Sequence, residues 1–113
     1  MSYDVDLVDA NGDVLPCREH FEEGGTRVLG GISECSLNIT YNYSEVFGPL
    51  VRGLHGCLAE RTVADLMEFV AQWPNTKPYE RDYWAPTPGN AVAAIQRLLV
   101  FAQEHPTGTW RIS

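Results

Sequence analysis

Lysine is nearly missing from this chain: Lys77 stands alone beside seven arginines. The 113 residues carry 15 acids against 8 bases, a net charge of −7. Duplex nucleic acid and anionic membranes demand a cationic face, so neither is expected as a partner. Long apolar runs are absent too, and nothing approaches the ~20 residues of a membrane span. Met1–Asp9 is acidic and lacks the basic and apolar blocks of a signal peptide, so no leader is expected. Cysteine is sparse and odd in number: Cys17, Cys35 and Cys57, with no C-x-x-C pair. That pattern excludes a disulfide framework and leads to reduced thiols in a cytosol-like compartment. No phosphate-loop, G-x-S-x-G or H-E-x-x-H motif is present, so those catalytic machineries are excluded.

Two weaker patterns also fall short. Cys17-Arg18-Glu19-His20 offers two zinc-ligand types, half of what a structural zinc site needs. Asn38-Ile39-Thr40 and Asn42-Tyr43-Ser44 match the glycosylation acceptor, a modification not expected without secretion. Neither a metal, a cofactor nor a catalytic residue is therefore assigned.

What the chain does have is enough apolar residue to fold. Hydrophobic residues make up 44% and charged residues 20%, which places it among globular proteins. Its length fits one domain, 1–113. The charge is uneven: residues 1–34 hold eight acids and two bases, a net of −6, and the remainder is close to neutral.

Tyr3-Asp4-Val5-Asp6-Leu7 alternates with the period of a half-buried strand. Asn11-Gly12 is a hairpin signal, with 13–17 as the return strand, at an edge because Pro16 cannot donate to a ladder. Thr26–Leu29 reads as a short strand. Residues 34–42 form the clearest one, with Cys35, Leu37, Ile39 and Tyr41 on one face. A helix follows from Ser44 towards His55, interrupted or started at Pro49. Thr62-Val63-Ala64-Asp65 resembles a capping box, opening a helix with Val63, Leu66, Met67, Val70 and Trp73 inward. Thr87-Pro88 opens a last helix to about Glu104, burying Ala91, Ile95, Leu98, Leu99 and Ala102. Residues 108–112 read as a closing edge strand. The fold expected is α+β: a small antiparallel sheet, made of the N-terminal hairpin plus strand 34–42, packed with about three helices. An apolar edge at Trp110 and Ile112 would pair with a second copy, so a homo-oligomer is expected.

Two surfaces are candidates for ligand binding. The polar face of strand 34–42 lines up Ser36, Asn38, Thr40 and Asn42, whose amides and hydroxyls can read a sugar or nucleobase edge. The alternative is an ordinary solvated sheet face. Tyr41 and Tyr43 belong to the same ligand-binding set. The second surface is the loop Tyr83-Trp84-Ala85-Pro86-Thr87, which leads into a helix start at Gly89 and Asn90. Free N–H groups at such a start favour an anion. Tyr83 or Trp84 would stack on a base, with Arg52 or Arg81 as charge partner. The alternative is that Trp84 plugs the core edge while Thr87 and Asn90 cap the helix.

Three strings carry a resemblance. They are Leu37-Asn38-Ile39-Thr40-Tyr41-Asn42-Tyr43-Ser44, Tyr83-Trp84-Ala85-Pro86-Thr87-Pro88-Gly89-Asn90-Ala91 and Pro106-Thr107-Gly108-Thr109-Trp110, with Gly24-Gly25-Thr26 ahead of them. Together they resemble a family of small proteins encoded by tailed phages and prophages, over about residues 24–110. Pro88 departs from that pattern. The resemblance implies a phage origin and a host-cytoplasm setting. It also implies an anti-defence role, as a sponge that sequesters a nucleotide immune signal: a cyclic nucleotide or an ADP-ribose derivative. Two other roles stay open. One is an acidic inhibitor of a host protein; the other is a small nucleotide hydrolase.

Overall fold

The computed structural model describes residues 2–17, 26–28, 34–40, 44–72 and 88–113. In chain order the elements are β1 (Ser2–Val8), β2 (Thr26–Val28), β3 (Ser36–Thr40), α1 (Ser44–Gly53), α2 (Ala59–Ala71), α3 (Pro88–Glu104) and β4 (Thr109–Ile112). The four strands form one antiparallel sheet in the order β2-β3-β1-β4. The fold is α+β.

The alternation in β1 and β3 sorts their side chains between two environments. Tyr3, Val5 and Leu7 of β1, with Leu37 and Ile39 of β3, are buried in the core. Phe47, Leu66, Ile95, Leu98 and Phe101 from the three helices join them there. Each such side chain contributes ~1.5–3 kcal/mol by leaving water. Asp4, Asp6, Ser36 and Asn38 point to the opposite face by the same period of two.

The N-terminal turn forms, but its return arm is not a strand. Gly12 takes φ +83°, which an L side chain rarely adopts, and the Asp9 carboxylate accepts from the N–H groups of Asn11 and Asp13. Beyond it, 13–17 pairs only through isolated bridges, Val8 to Val14 and Pro16 to Glu34. Leu15 wedges between β1 and the start of β3: its N–H donates to Leu7, and Cys35 N–H donates to its carbonyl. The ladder partners of β1 are β3 and β4, not this arm.

α2 begins three residues before the capping box expected at Thr62. Its N-cap, Leu58, makes no side-chain cap bond. Instead, the N–H groups of Ala59 and Glu60 donate to the carbonyls of Gly108 and Pro106. A backbone turn thus supplies the cap, and Thr62 is free for the core. Its hydroxyl donates to Ala59 O and accepts from Trp110 Nε1 at 2.9 Å. The inward stripe is Ala59, Thr62, Leu66 and Phe69, so Val63 and Val70 are only half-buried and Met67 is 52% exposed. Trp73 lies outside the described residues. Pro49 sits within α1 rather than starting it. α3 buries Ile95, Leu98 and Ala102 as expected, with Phe101 in addition, and leaves Leu99 half-buried.

β4 lies at the edge of the sheet, but its outer side is already occupied. Gly56 N–H donates to Trp110 O, Trp110 N–H to Cys57 O, and Ile112 N–H to His55 Nδ1. Trp110 is buried. The edge that Trp110 and Ile112 were expected to offer a second copy is therefore closed from within the chain.

Candidate functional site

Of the residues expected to bind a ligand, Asn38 and Arg52 have described side chains. Asn38 Nδ2 donates to Asp4 Oδ1 at 2.8 Å, on the outer face of the sheet. Beside it Ser36 donates to Asp6, and Arg111 forms an ion pair with Asp6 Oδ2 at 3.0 Å. The polar face of β3 is thus knitted to the acids of β1 across their register. Arg52 lies on the other side of the sheet, where it donates to the hydroxyl of the core residue Tyr3 at 3.0 Å. The two residues do not share one surface. Thr40 ends β3, and Gly89 and Asn90 lie in the first turn of α3. Tyr41, Asn42, Tyr43, Arg81, Tyr83, Trp84 and Thr87 lie outside the described residues.

A different concavity lies between α1 and α2. Leu54–Gly56 turns the chain between the two helices, with Gly56 at φ +80°. They enclose a cleft of about 440 Å³. Leu50, Leu54 and Leu58 line its apolar floor. Arg61 and Asp65, one helical turn apart on α2, stand exposed at its side. A second hollow of about 280 Å³ continues it towards Glu68 and Phe69, sharing Leu50 and Asp65. Among the described residues Arg111 is ion-paired and Arg61 is not.

Cys57 also lines the cleft, half-buried, its thiol donating to Gly53 O at 3.4 Å. His55 is turned away from it, with Nδ1 accepting Ile112 N–H, so the two form no nucleophile–base pair. His105 is half-buried, its Nε2 bonded to Pro16 O. Among the described residues no three His, Cys, Asp or Glu side chains gather as a metal site. No described helix is long and apolar enough to cross a membrane.

The arrangement suits non-covalent binding. An apolar floor accepts a flat body, a guanidinium takes an anion, and a carboxylate accepts from N–H or O–H donors. Sequence reading missed this cleft, because nothing in the sequence distinguishes Leu50, Leu54 and Leu58 from core leucines. Arg61 and Asp65, four residues apart on the exposed face of α2, were the legible signal.

No known protein family, curated protein or solved structure matches the chain.

Proposed function

We propose that the chain binds and withholds a small nucleotide-derived signal, a cyclic nucleotide or an ADP-ribose derivative, without transforming it. The observation that carries this reading is the α1–α2 cleft. It is large enough for a small organic ligand, since such sites run from roughly 300 to 1,000 Å³. It places an uncommitted Arg61 beside an apolar floor. The base would lie on Leu50 and Leu58, and a phosphate would pair with Arg61. The aromatic loop with Arg81, Tyr83 and Trp84 belongs to the same proposal, as does its setting in the cytoplasm of a phage host. Any assembly of copies uses a surface other than β4.

The inhibitor reading draws less support, because Asp4 and Asp6 are engaged by Asn38, Ser36 and Arg111 rather than presented to a partner.

The test is a thermal-shift screen with cyclic mono- and dinucleotides and ADP-ribose derivatives. A ligand at one hundred times its Kd stabilises the fold by about 2.7 kcal/mol. Binding should also slow maleimide labelling of Cys57, and Arg61→Ala should abolish both effects. Trp84→Ala should weaken binding about tenfold to a hundredfold, the equivalent of ~1–3 kcal/mol of stacking. Heat denaturation should return the nucleotide intact. A changed product would make the protein a hydrolase; no shift with any nucleotide would overturn the reading.

A further inference from the structure

Two of the three thiols lie apart from the cleft and close to each other. Cys17 and Cys35 are buried. Pro16 and Glu34 face one another across an isolated antiparallel bridge, and Leu15 O accepts from Cys35 N–H at 2.8 Å. That register puts Cys17 and Cys35 on diagonal positions of the same face. Burial agrees: both cysteines point inward, and Pro16 on the alternate face is exposed. Cys35 Sγ donates to Pro16 O at 3.4 Å, the residue next to Cys17, whose own thiol meets Glu104 Oε2 at 3.7 Å. Burial pushes the Cys35 thiol far up, and neighbouring Cys17 and Glu104 push it further.

We infer that Cys17 and Cys35 form a redox-active dithiol that closes to a disulfide within the native fold, leaving Cys57 as a free thiol. Diagonal neighbours sit ~7–8 Å apart between Cα atoms, and a disulfide spans up to ~6.8 Å, so closure draws the arm in by about 1 Å. Isolated bridges and single hydrogen bonds, not a ladder, hold the arm there, so a shift of this size disrupts no strand pairing. The oxidant is a small-molecule disulfide. The Cys17 thiolate attacks one of its sulfurs and expels the first thiolate. The Cys35 thiolate then attacks Cys17 Sγ and expels the second. Two thiol protons leave, and the reagent is reduced to two thiols. With the Cys35 thiol held this firmly in the protonated form, the closing step is slow at neutral pH and faster as pH rises.

The experiment treats the full chain and its Cys57→Ser variant with oxidised glutathione under native conditions. A non-reducing tryptic mass map follows, in which cleavage at Arg18 and Arg27 separates the two cysteines. The expected product is the peptide ending at Arg18 joined to the peptide that begins at Val28, with the loss of two hydrogens. Closing the 17–35 loop should raise Tm on the order of 10 °C, reversibly with dithiothreitol. Cys17→Ser should lose that rise while remaining folded. Persistence of both thiols, stable glutathione adducts, a link that needs denaturant, or a bridge to Cys57 in the wild type would each overturn the inference.

Discussion

At Thr62 a single hydroxyl joins two parts of the chain that are far apart in sequence. It donates to Ala59 O at 2.7 Å inside α2 and accepts Trp110 Nε1 from β4. Thr62→Val keeps the shape but leaves the buried indole N–H without a partner. Such an orphan costs ~1–3 kcal/mol, which should appear as a lower urea midpoint. Thr62→Ser keeps the hydroxyl and should recover most of that loss. A valine variant as stable as wild type would show that the indole is not bonded there. Cys35 supplies a pH prediction. Its folded-state pKa is raised, chiefly by burial, so the folded state holds the proton more tightly than the unfolded chain. The stabilisation is fully present below the ordinary thiol range, about 8.5, and is lost as pH rises through and above it. Urea midpoints should fall above that pH more steeply in wild type than in Cys35→Ala. Parallel curves would remove Cys35 from the account.

The elements show where local signals sufficed. Strand period two in 3–7 and 34–40 sorted the sheet faces correctly, because one side meets the core and the other meets polar neighbours. Helix spacing in 92–102 named most of α3 for the same reason. The start of α2 was not legible: its cap comes from Gly108 and Pro106, about fifty residues away, and no residue near Leu58 announces them. The glycines at these junctions separate into three cases. A Cβ on Gly108 would meet Leu7 Cγ and Leu15 Cδ1, both at 2.8 Å, so Gly108→Ala forces the core to shift at ~1–3 kcal/mol. Gly56 has open space but φ +80°, so Gly56→Ala strains the turn. Gly53, at the end of α1, has neither obstacle, and Gly53→Ala should stabilise by ~0.4–1 kcal/mol through the unfolded chain. Thermal melts of the three variants should rank Gly53→Ala highest and Gly108→Ala below wild type. A destabilised Gly53→Ala would show that the end of α1 is not as described.

At the scale of the whole molecule, strand order was the least legible property. Composition and turn residues identify strands, but β1 takes β3 and β4 as partners from opposite ends of the chain, and no local pattern encodes that choice. The candidate site divided the same way. Asn38 was read as open to a ligand because it lies on the polar face of its strand. The acid it bonds, Asp4, lies on β1, and only the register brings the two residues opposite each other. β4 shows the same effect on assembly. Its apolar sequence suggested pairing between copies, but residues 55–57 fill its outer side with three hydrogen bonds. This arrangement makes a prediction about mass in solution. Ile112 is half-buried at the end of β4. Ile112→Lys should leave the light-scattering mass of the wild type unchanged, whatever that mass is, because residues 55–57 already take the hydrogen bonds on that side. Gly56→Pro removes the N–H that Trp110 O accepts and cannot adopt φ +80°, so it should peel the 55–57 segment away and expose the edge. An exposed edge recruits another, and the mass of this variant should rise with concentration. If Ile112→Lys alone lowers the wild-type mass, β4 is an interface after all and the internal cover opens in the assembly.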